Sequence, residues 1–162
     1  MTQPARFAII GTGWRAEFFL RLAAAAPDRL QVTGVLARSD ASAARIAPWG
    51  VPVHRTIDDL LAARPDVVIA SVSWDAMPGV ITELVGRGVR VLAETPPAPD
   101  ADGLRKLWHD VGASGLVQVA EQYMLMPGHA ARLEVVRSGA LGTIGGVQVS
   151  STHLYHATSM IR

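Results

Sequence analysis

The stretch of sequence that decides the fold is Arg6-Phe-Ala-Ile-Ile-Gly-Thr-Gly-Trp-Arg-Ala16. Its first half, residues 6–10, is a short apolar run that leads into a glycine, which is typical of a buried strand in a parallel sheet. Its second half follows the pattern G-x-G-x-x-A. Apolar residues at helical spacing come next: Phe18, Phe19, Leu22 and Ala26. The stretch therefore predicts a strand, a tight turn and a helix that ends at Pro27.

A dinucleotide ligand would explain the residue type at each fixed position of this pattern, that is, at both glycines and at the alanine. The first glycine permits the tight turn, the second lets a pyrophosphate approach bare backbone, and the alanine lets helix and strand pack closely. The amino end of the helix offers N–H groups and a favourable dipole to the phosphates. We therefore predict a dinucleotide site in the turn, formed by Gly11, Thr12, Gly13, Trp14, Arg15 and Ala16. The alternative is a glycine turn that only joins two packed elements.

The rest of the chain alternates between strand-like and helix-like segments. Further strands are expected at residues 31–36, 51–54, 67–70, 89–93 and 116–120, with helical patterns between them. This alternation predicts an α/β protein with a Rossmann-type, doubly wound parallel sheet over residues 1–122. Residues 123–162 read as the start of an α+β substrate domain, with a helix at 130–136, a strand at 147–152 and another helix near Tyr155. One strand and two helices cannot bury a core of their own, so we expect this second domain to be incomplete.

Composition excludes several classes of protein. The 162 residues contain no cysteine, which excludes disulfides, thiolate metal sites and a cysteine nucleophile. Fifteen basic and fourteen acidic residues give no strong field for nucleic acid or for a membrane surface. No apolar stretch approaches the ~20 residues of a membrane span, and the first residues do not resemble a signal peptide. These features predict a cytoplasmic protein with no nucleic-acid or membrane partner.

The end of the second predicted strand indicates which cofactor binds. An NAD site usually has an acidic residue there, ~20 residues after the glycine turn, to hold the ribose hydroxyls. This chain has Leu36-Ala-Arg-Ser39 instead. Arg38 and Ser39 could hold a 2′-phosphate, so NADP is favoured and NAD stays possible. The alternative is that Arg38 is an ordinary surface residue and Asp40 caps a helix.

Four motifs together resemble the glucose-fructose oxidoreductase, inositol dehydrogenase and MocA (Gfo/Idh/MocA) family. They are the turn at residues 11–16, Val91-Leu-Ala-Glu-Thr-Pro96, Val119-Ala-Glu-Gln-Tyr123 and Ser138-Gly-Ala-Leu-Gly142. The resemblance covers essentially the whole chain. It implies a small-molecule, sugar-like substrate, held in an open antiparallel sheet domain of which this chain has only the beginning, and it implies a homo-oligomer.

The resemblance also implies roles for individual residues. Ser71, Val72 and Trp74 would lie beside the dinucleotide, Glu94 near the nicotinamide ribose, and Gln122 near the nicotinamide. For Glu94 the alternative is a strand-end carboxylate that caps a turn.

One departure from the family pattern affects the chemistry. The family typically has Glu-Lys-Pro where this chain has Glu94-Thr95-Pro96, and that lysine positions the substrate hydroxyl and moves its proton. Thr95 occupies the position, but a hydroxyl cannot act alone as a base near neutral pH. His156 resembles the substrate-domain histidine of the family and could move the proton, with Tyr155 as a hydrogen-bond donor. These side chains could instead pack or cap the junction. His153 and His156 lack a third ligand, so we predict no metal site.

The sequence leaves three functions open. The favoured one is an NADP(H)-dependent oxidoreductase that acts on a sugar-like or other polar hydroxyl or carbonyl substrate. The others are NAD-dependent, redox-neutral cleavage of a glycoside, and a non-catalytic nucleotide-binding scaffold or sensor. The loss of the lysine is what keeps both alternatives open.

Overall fold

A six-stranded parallel sheet is the centre of the structure, a computed structural model that describes residues 3–150 and 154–161. The strands run in the spatial order β3-β2-β1-β4-β5-β6. Their bounds are β1 Ala5–Ile10, β2 Leu30–Leu36, β3 Val53–His54, β4 Val67–Ala70, β5 Val91–Ala93 and β6 Val117–Val119. This order is that of a dinucleotide-binding Rossmann sheet, so the predicted α/β class and doubly wound fold are confirmed.

Helices follow the strands along the chain. Their bounds are α1 Trp14–Ala25, α2 Asp40–Ile46, α3 Ile57–Ala62, α4 Met77–Gly86 and α5 Ala101–Val111. Three of them begin at a side-chain cap: Ser39, Thr56 and Asp100 each accept a hydrogen bond from a backbone N–H of the first turn. Such caps satisfy N–H groups that have no partner within a helix, and they fix where the helix begins.

The core lies on both faces of the sheet because neighbouring residues of β1 point to opposite sides. Phe7 and Ile9 pack into one buried cluster with residues of α1, whereas Ala8 and Ile10 pack into a second cluster with residues of α4. Three consecutive residues of β1, Ala8 to Ile10, are at most 1% exposed. A strand covered on both faces must be apolar throughout, which explains the unbroken run at residues 6–10.

The helix α1 forms as predicted, but it buries only some of the apolar residues whose spacing predicted it. Its buried residues are Ala16, Phe19, Leu20 and Ala23. Phe18 and Leu22 are 42% and 43% exposed. Periodicity identifies a helix more reliably than it identifies the face of a helix in which nearly every residue is apolar.

The chain divides into two compact units, Met1–Val119 and Ala120–Arg162. The second unit contains a single turn of 3-10 helix at Tyr123–Leu125 and the helices α6 Pro127–Arg137 and α7 Leu154–Ile161. The strand predicted at 147–152 is wrong for residues 147–150, which have no regular structure, and residues 151–153 lie outside the described part. Alternating polarity produces a strand only where another strand supplies hydrogen bonds, and the described part of this unit contains none.

Within residues 3–150 and 154–161, every helix is too short or too polar to cross a membrane.

Candidate functional site

The turn between β1 and α1 needs a glycine at its first position for two separate reasons. Gly11 has φ +121°, a conformation that residues with a side chain rarely adopt. A Cβ atom on Gly11 would also lie 1.9 Å from the carbonyl oxygen of Ser71, which follows β4. The close approach is fixed by the sheet, since the Ser71 N–H donates a 2.8 Å hydrogen bond to the Ile10 carbonyl. Gly11 therefore lies between β1 and β4, where the strand order reverses and open α/β sheets bind ligands.

The second glycine of the turn is open to its surroundings. Gly13 is the N-cap of α1, and a Cβ atom built there would meet no atom within 4 Å. No side chain caps this helix, in contrast to α2, α3 and α5. The first turn of α1 therefore presents backbone N–H groups and the positive end of the helix dipole beside bare backbone. These features fit the pyrophosphate of a dinucleotide.

An ion pair joins this turn to the end of β5. Arg15 Nε lies 2.8 Å from Glu94 Oε1, and the two side chains are only 18% and 10% exposed. The atoms are not aligned for a hydrogen bond, so each is a buried polar atom without a hydrogen-bond partner. Because β4 lies between β1 and β5 in the sheet, the pair reaches across the carboxyl end of β4. The ion pair therefore links the start of α1 to Glu94 at the end of β5.

Aromatic rings surround the guanidinium group of Arg15. Its central carbon lies 5.2 Å from the ring centroid of Trp14, 4.8 Å from that of Phe18 and 5.6 Å from that of Phe19. Cation–π attraction at these distances holds the positive charge at the amino end of α1. The turn therefore combines a fixed cation with free backbone N–H groups.

The segment after β4 borders the same crevice. Ser71 contributes the backbone carbonyl that contacts Gly11, and Val72 packs against the core. Trp74 is 55% exposed. Of the three residues that the resemblance assigns to the dinucleotide, the structure brings Ser71 directly against the glycine turn.

Two arginines lie near the end of β2, one after β2 itself and one after β3. Arg38 is exposed, and Ser39 caps α2 in the place that the sequence alternative gave to Asp40. Arg55, just after β3, donates hydrogen bonds to the Ala37 carbonyl at 3.0 Å and to Asp40 at 2.6 Å. Sequence reasoning missed Arg55 because it becomes a neighbour of the end of β2 only through the parallel pairing of β2 and β3.

The position of the missing lysine is occupied by Thr95, which is joined to Pro96 by a cis peptide bond. The chain's one lysine, Lys106, lies on α5, and its ammonium is 2.5 Å from the Asp110 carboxylate. That hydrogen bond, with smaller help from His109, lowers the pKa of Asp110. Lys106 is 76% exposed and is committed to this surface pair, so it does not replace the lysine of the family motif.

A second group of candidate residues lies in the second unit. Nδ1 of His156 is 2.5 Å from Oε2 of Glu121, and the side chains are 11% and 14% exposed. The rings of Tyr123 and Tyr155 lie beside the imidazole, with centroids at 4.5 and 4.4 Å. Gln122, the neighbour of Glu121, is exposed. His153 lies outside the described residues. Sequence reasoning missed Glu121, although its position two residues after β6 could have identified it as a strand-end carboxylate.

A family model described as an oxidoreductase family with an NAD-binding Rossmann fold matches residues 5–122, which is most of the chain. The chain belongs to the Gfo/Idh/MocA oxidoreductase family. The expected membership is thereby confirmed. No curated protein matches the chain in sequence.

Several solved structures are similar to this chain in fold. A candidate NADPH-dependent oxidoreductase from Desulfitobacterium hafniense has a TM-score of 0.76 at 19% identity, over 88% of this chain and 42% of its own. The WlbA dehydrogenase from Bordetella pertussis, in complex with NADH and UDP-GlcNAcA, has a TM-score of 0.74 at 18% identity, over 86% and 44%. Scyllo-inositol dehydrogenase from Lactobacillus casei, with NAD(H) and scyllo-inositol, has a TM-score of 0.75 at 16% identity, over 88% and 43%. The chain thus spans less than half the length of each of these three proteins.

Proposed function

We propose that this protein is an NADP(H)-dependent oxidoreductase that transfers hydride to or from a hydroxyl or carbonyl carbon of a sugar-like small molecule. The observation that carries the proposal is the bare backbone at Gly11 and Gly13, at the point where the strand order reverses. Family membership supports the reaction class. The relatives from B. pertussis and L. casei were crystallised with NAD(H) and a sugar-like compound, which supports the substrate class.

The residues of the first unit would hold the cofactor, which supplies the hydride acceptor or donor when it is bound. Thr12, Gly13 and Trp14 offer backbone to the pyrophosphate at the start of α1. Arg15 lies at the same end of α1, where Glu94 and the aromatic rings fix its guanidinium group. Glu94, buried at the end of β5, is suited to accept hydrogen bonds from ribose hydroxyls. Ser71, Val72 and Trp74 would line the crevice, and Ala16 lets α1 pack on the sheet.

The preference for NADP over NAD rests on the charges at the end of β2. Arg38 is exposed there, and the nearby carboxylate of Asp40 is paired with Arg55, which also donates a hydrogen bond to the Ala37 carbonyl. A guanidinium group binds a phosphate through charge-assisted hydrogen bonds, and a ribose hydroxyl lacks the charge for such a contact. Ser39 supports the preference less directly, because its hydroxyl caps α2.

The cofactor preference is tested by comparing two arginine variants in calorimetric titrations of NADPH and NADH. Arg38→Ala should weaken NADPH binding about 10- to 100-fold, because a charge-assisted contact contributes roughly 1.5–3 kcal/mol, and it should change NADH binding little. Arg29→Ala is the matched control, since this exposed arginine lies just before the opposite end of β2. Equal losses for NADPH and NADH in Arg38→Ala would refute the preference for NADP.

The second unit supplies the proposed proton-transfer residue. We assign residues 123–162 to the start of a substrate and oligomerisation domain, in which His156 moves the proton and Tyr155 donates a hydrogen bond to the substrate. Histidine changes its charge close to neutral pH, whereas the hydroxyl of Thr95 does not. Thr95 and Gln122 would then position the substrate and nicotinamide through hydrogen bonds. The full-length protein would form a homo-oligomer, as the family resemblance implies.

A non-catalytic nucleotide-binding role is the second candidate, and Thr95 in the place of the lysine favours it. The two are separated by assaying the full-length protein for NADPH-dependent turnover with a panel of sugar-like carbonyl compounds. Turnover that is lost in His156→Gln supports the oxidoreductase. Tight NADPH binding with no turnover across the panel supports the scaffold, and release of a sugar without net NADPH consumption supports redox-neutral glycoside cleavage.

A further inference from the structure

The side chain of Glu121 is held from two directions. Its Oε1 accepts a 2.9 Å hydrogen bond from the backbone N–H of Tyr123, and its Oε2 contacts Nδ1 of His156 at 2.5 Å. The carboxylate is mostly buried. A carboxylate with a partner on each oxygen has little freedom to rotate, so Glu121 presents a fixed acceptor to the imidazole.

The imidazole of His156 is restrained on its other sides by aromatic rings. The Tyr123 ring lies at 4.5 Å with an interplanar angle of 32°, and the Tyr155 ring lies at 4.4 Å with an angle of 56°. The helix that carries His156 is tied locally, because Ser159 Oγ donates a 2.8 Å hydrogen bond to the His156 carbonyl. The ring is therefore fixed in orientation both by packing and by its contact with Glu121.

This contact decides which nitrogen of the neutral ring carries the proton. An ionised carboxylate can only accept hydrogen bonds, so Nδ1 must be the donor. The lone pair of the neutral ring is then on Nε2. A carboxylate that holds a histidine in one tautomer, and that stabilises its charged form, makes the other nitrogen an effective proton acceptor.

We infer that Glu121 is a positioning residue that holds His156 in its Nδ1–H tautomer, with Nε2 as the proton-exchanging atom. The inference rests on the proposed function, because it concerns the residue to which proton transfer is assigned there. Tyr123 contacts both residues: its backbone N–H donates a hydrogen bond to the Glu121 carboxylate, and its ring packs on the His156 imidazole.

The tautomer is measured by long-range ¹H–¹⁵N correlation on the full-length protein labelled with ¹⁵N-histidine. The signals of His156 are identified as those that disappear in His156→Gln. The tautomers of the wild type and the variants are compared at a high enough pH that these signals no longer change, where the ring is neutral. We expect the Nδ1–H tautomer in the wild type and an increased Nε2–H population in Glu121→Met. The matched control is Glu134→Met, which removes an exposed carboxylate of the same unit. This variant should have the same tautomer populations of His156 as the wild type. An Nε2–H tautomer in the wild type would overturn the inference even if Glu121→Met failed to fold.

Kinetics of the same variants separate this inference from the proposed function. His156→Gln should lower kcat by about 10²- to 10⁴-fold, the usual range for loss of a general acid or base, and Glu121→Met by at least ~10-fold with a smaller change in KM. A loss in His156→Gln without one in Glu121→Met would refute the positioning role alone. Unchanged kcat in both variants would refute proton transfer by His156, and with it that part of the proposed function.

Discussion

Replacing Gly11 by alanine should destabilise the fold through a clash that can be located to one atom. The new Cβ would be built 1.9 Å from the Ser71 carbonyl oxygen and 2.7 Å from its carbonyl carbon, both backbone atoms. Neither can move alone, because the Ser71 N–H is hydrogen-bonded to Ile10 at the end of β1. The two strand ends would have to separate, at the centre of the sheet.

The size of the effect follows from two contributions. A side chain held at φ +121° costs of order 1–3 kcal/mol in backbone strain. The displaced strand ends add the cost of overpacking a buried position, typically 1–3 kcal/mol. We therefore expect Gly11→Ala to lower the free energy of unfolding by about 3 kcal/mol or more, which is a large part of the 5–15 kcal/mol of a typical domain.

The matched control is Gly13→Ala, two residues further along the same turn. Gly13 has φ −79°, and its Cβ would meet nothing within 4 Å. Gly13→Ala loses a favourable N-cap residue, which destabilises the fold, but it also makes the unfolded chain less flexible, which stabilises the fold. Because these effects oppose each other, the free energy of unfolding should change by no more than about 1 kcal/mol. Urea denaturation followed by circular dichroism measures both variants. Equal stability of Gly11→Ala and the wild type would refute the reasoning.

Four further predictions concern single contacts. Leu84→Ala empties a fully buried position and should cost about 2–5 kcal/mol in urea denaturation. Asp100→Ala removes the cap of α5 and should cost about 1 kcal/mol by the same assay, with the exposed Asp75→Ala as its neutral comparison. Lys106→Met removes the hydrogen bond that lowers the pKa of Asp110, so an NMR titration should find that pKa raised; an unchanged value would contradict the assignment. The pKa of Asp110 is lower in the folded state than in the unfolded state, so the stabilisation by this pair is complete above the ordinary pKa of ~3.9. It is lost as the pH falls through the pKa that Asp110 has in the folded protein. Lys106→Met should remove this loss from an acid-denaturation curve.

The first unit could be predicted from the sequence because local pattern and tertiary structure agree there. Residues 67–70 form an apolar run that can only be buried in a sheet, and β4 has the predicted bounds. The helical pattern before it forms the short helix α3, which begins at a threonine cap. The glycine turn is equally clear from the sequence, since the strand before it, the helix after it and the steric requirement at Gly11 all agree. In the second unit, the alternation at residues 147–150 does not produce a strand, because strand formation depends on a partner and not on the segment itself.

The contacts between distant residues could not be predicted in the same way. Arg15 and Glu94 are each candidates in the sequence, but their pairing depends on β4 alone separating β1 from β5 in the sheet. Arg55 reaches the end of β2 through the register of β3, and Glu121 reaches His156 across 35 residues of chain. In each case the residue type was visible in the sequence and the partner was not.

Binding of NADPH and NADH to the wild type and to Gly13→Val, measured by isothermal titration calorimetry, tests the central claim most directly. The position is open in the structure, so the larger side chain should leave the fold intact and fill the space in front of the first turn of α1. The account predicts that the wild type binds at least one of the two nucleotides and that the variant, with the wild-type circular dichroism spectrum, binds it at least ~10-fold more weakly. Absence of binding to the wild type, or equal affinity in the variant, would contradict it.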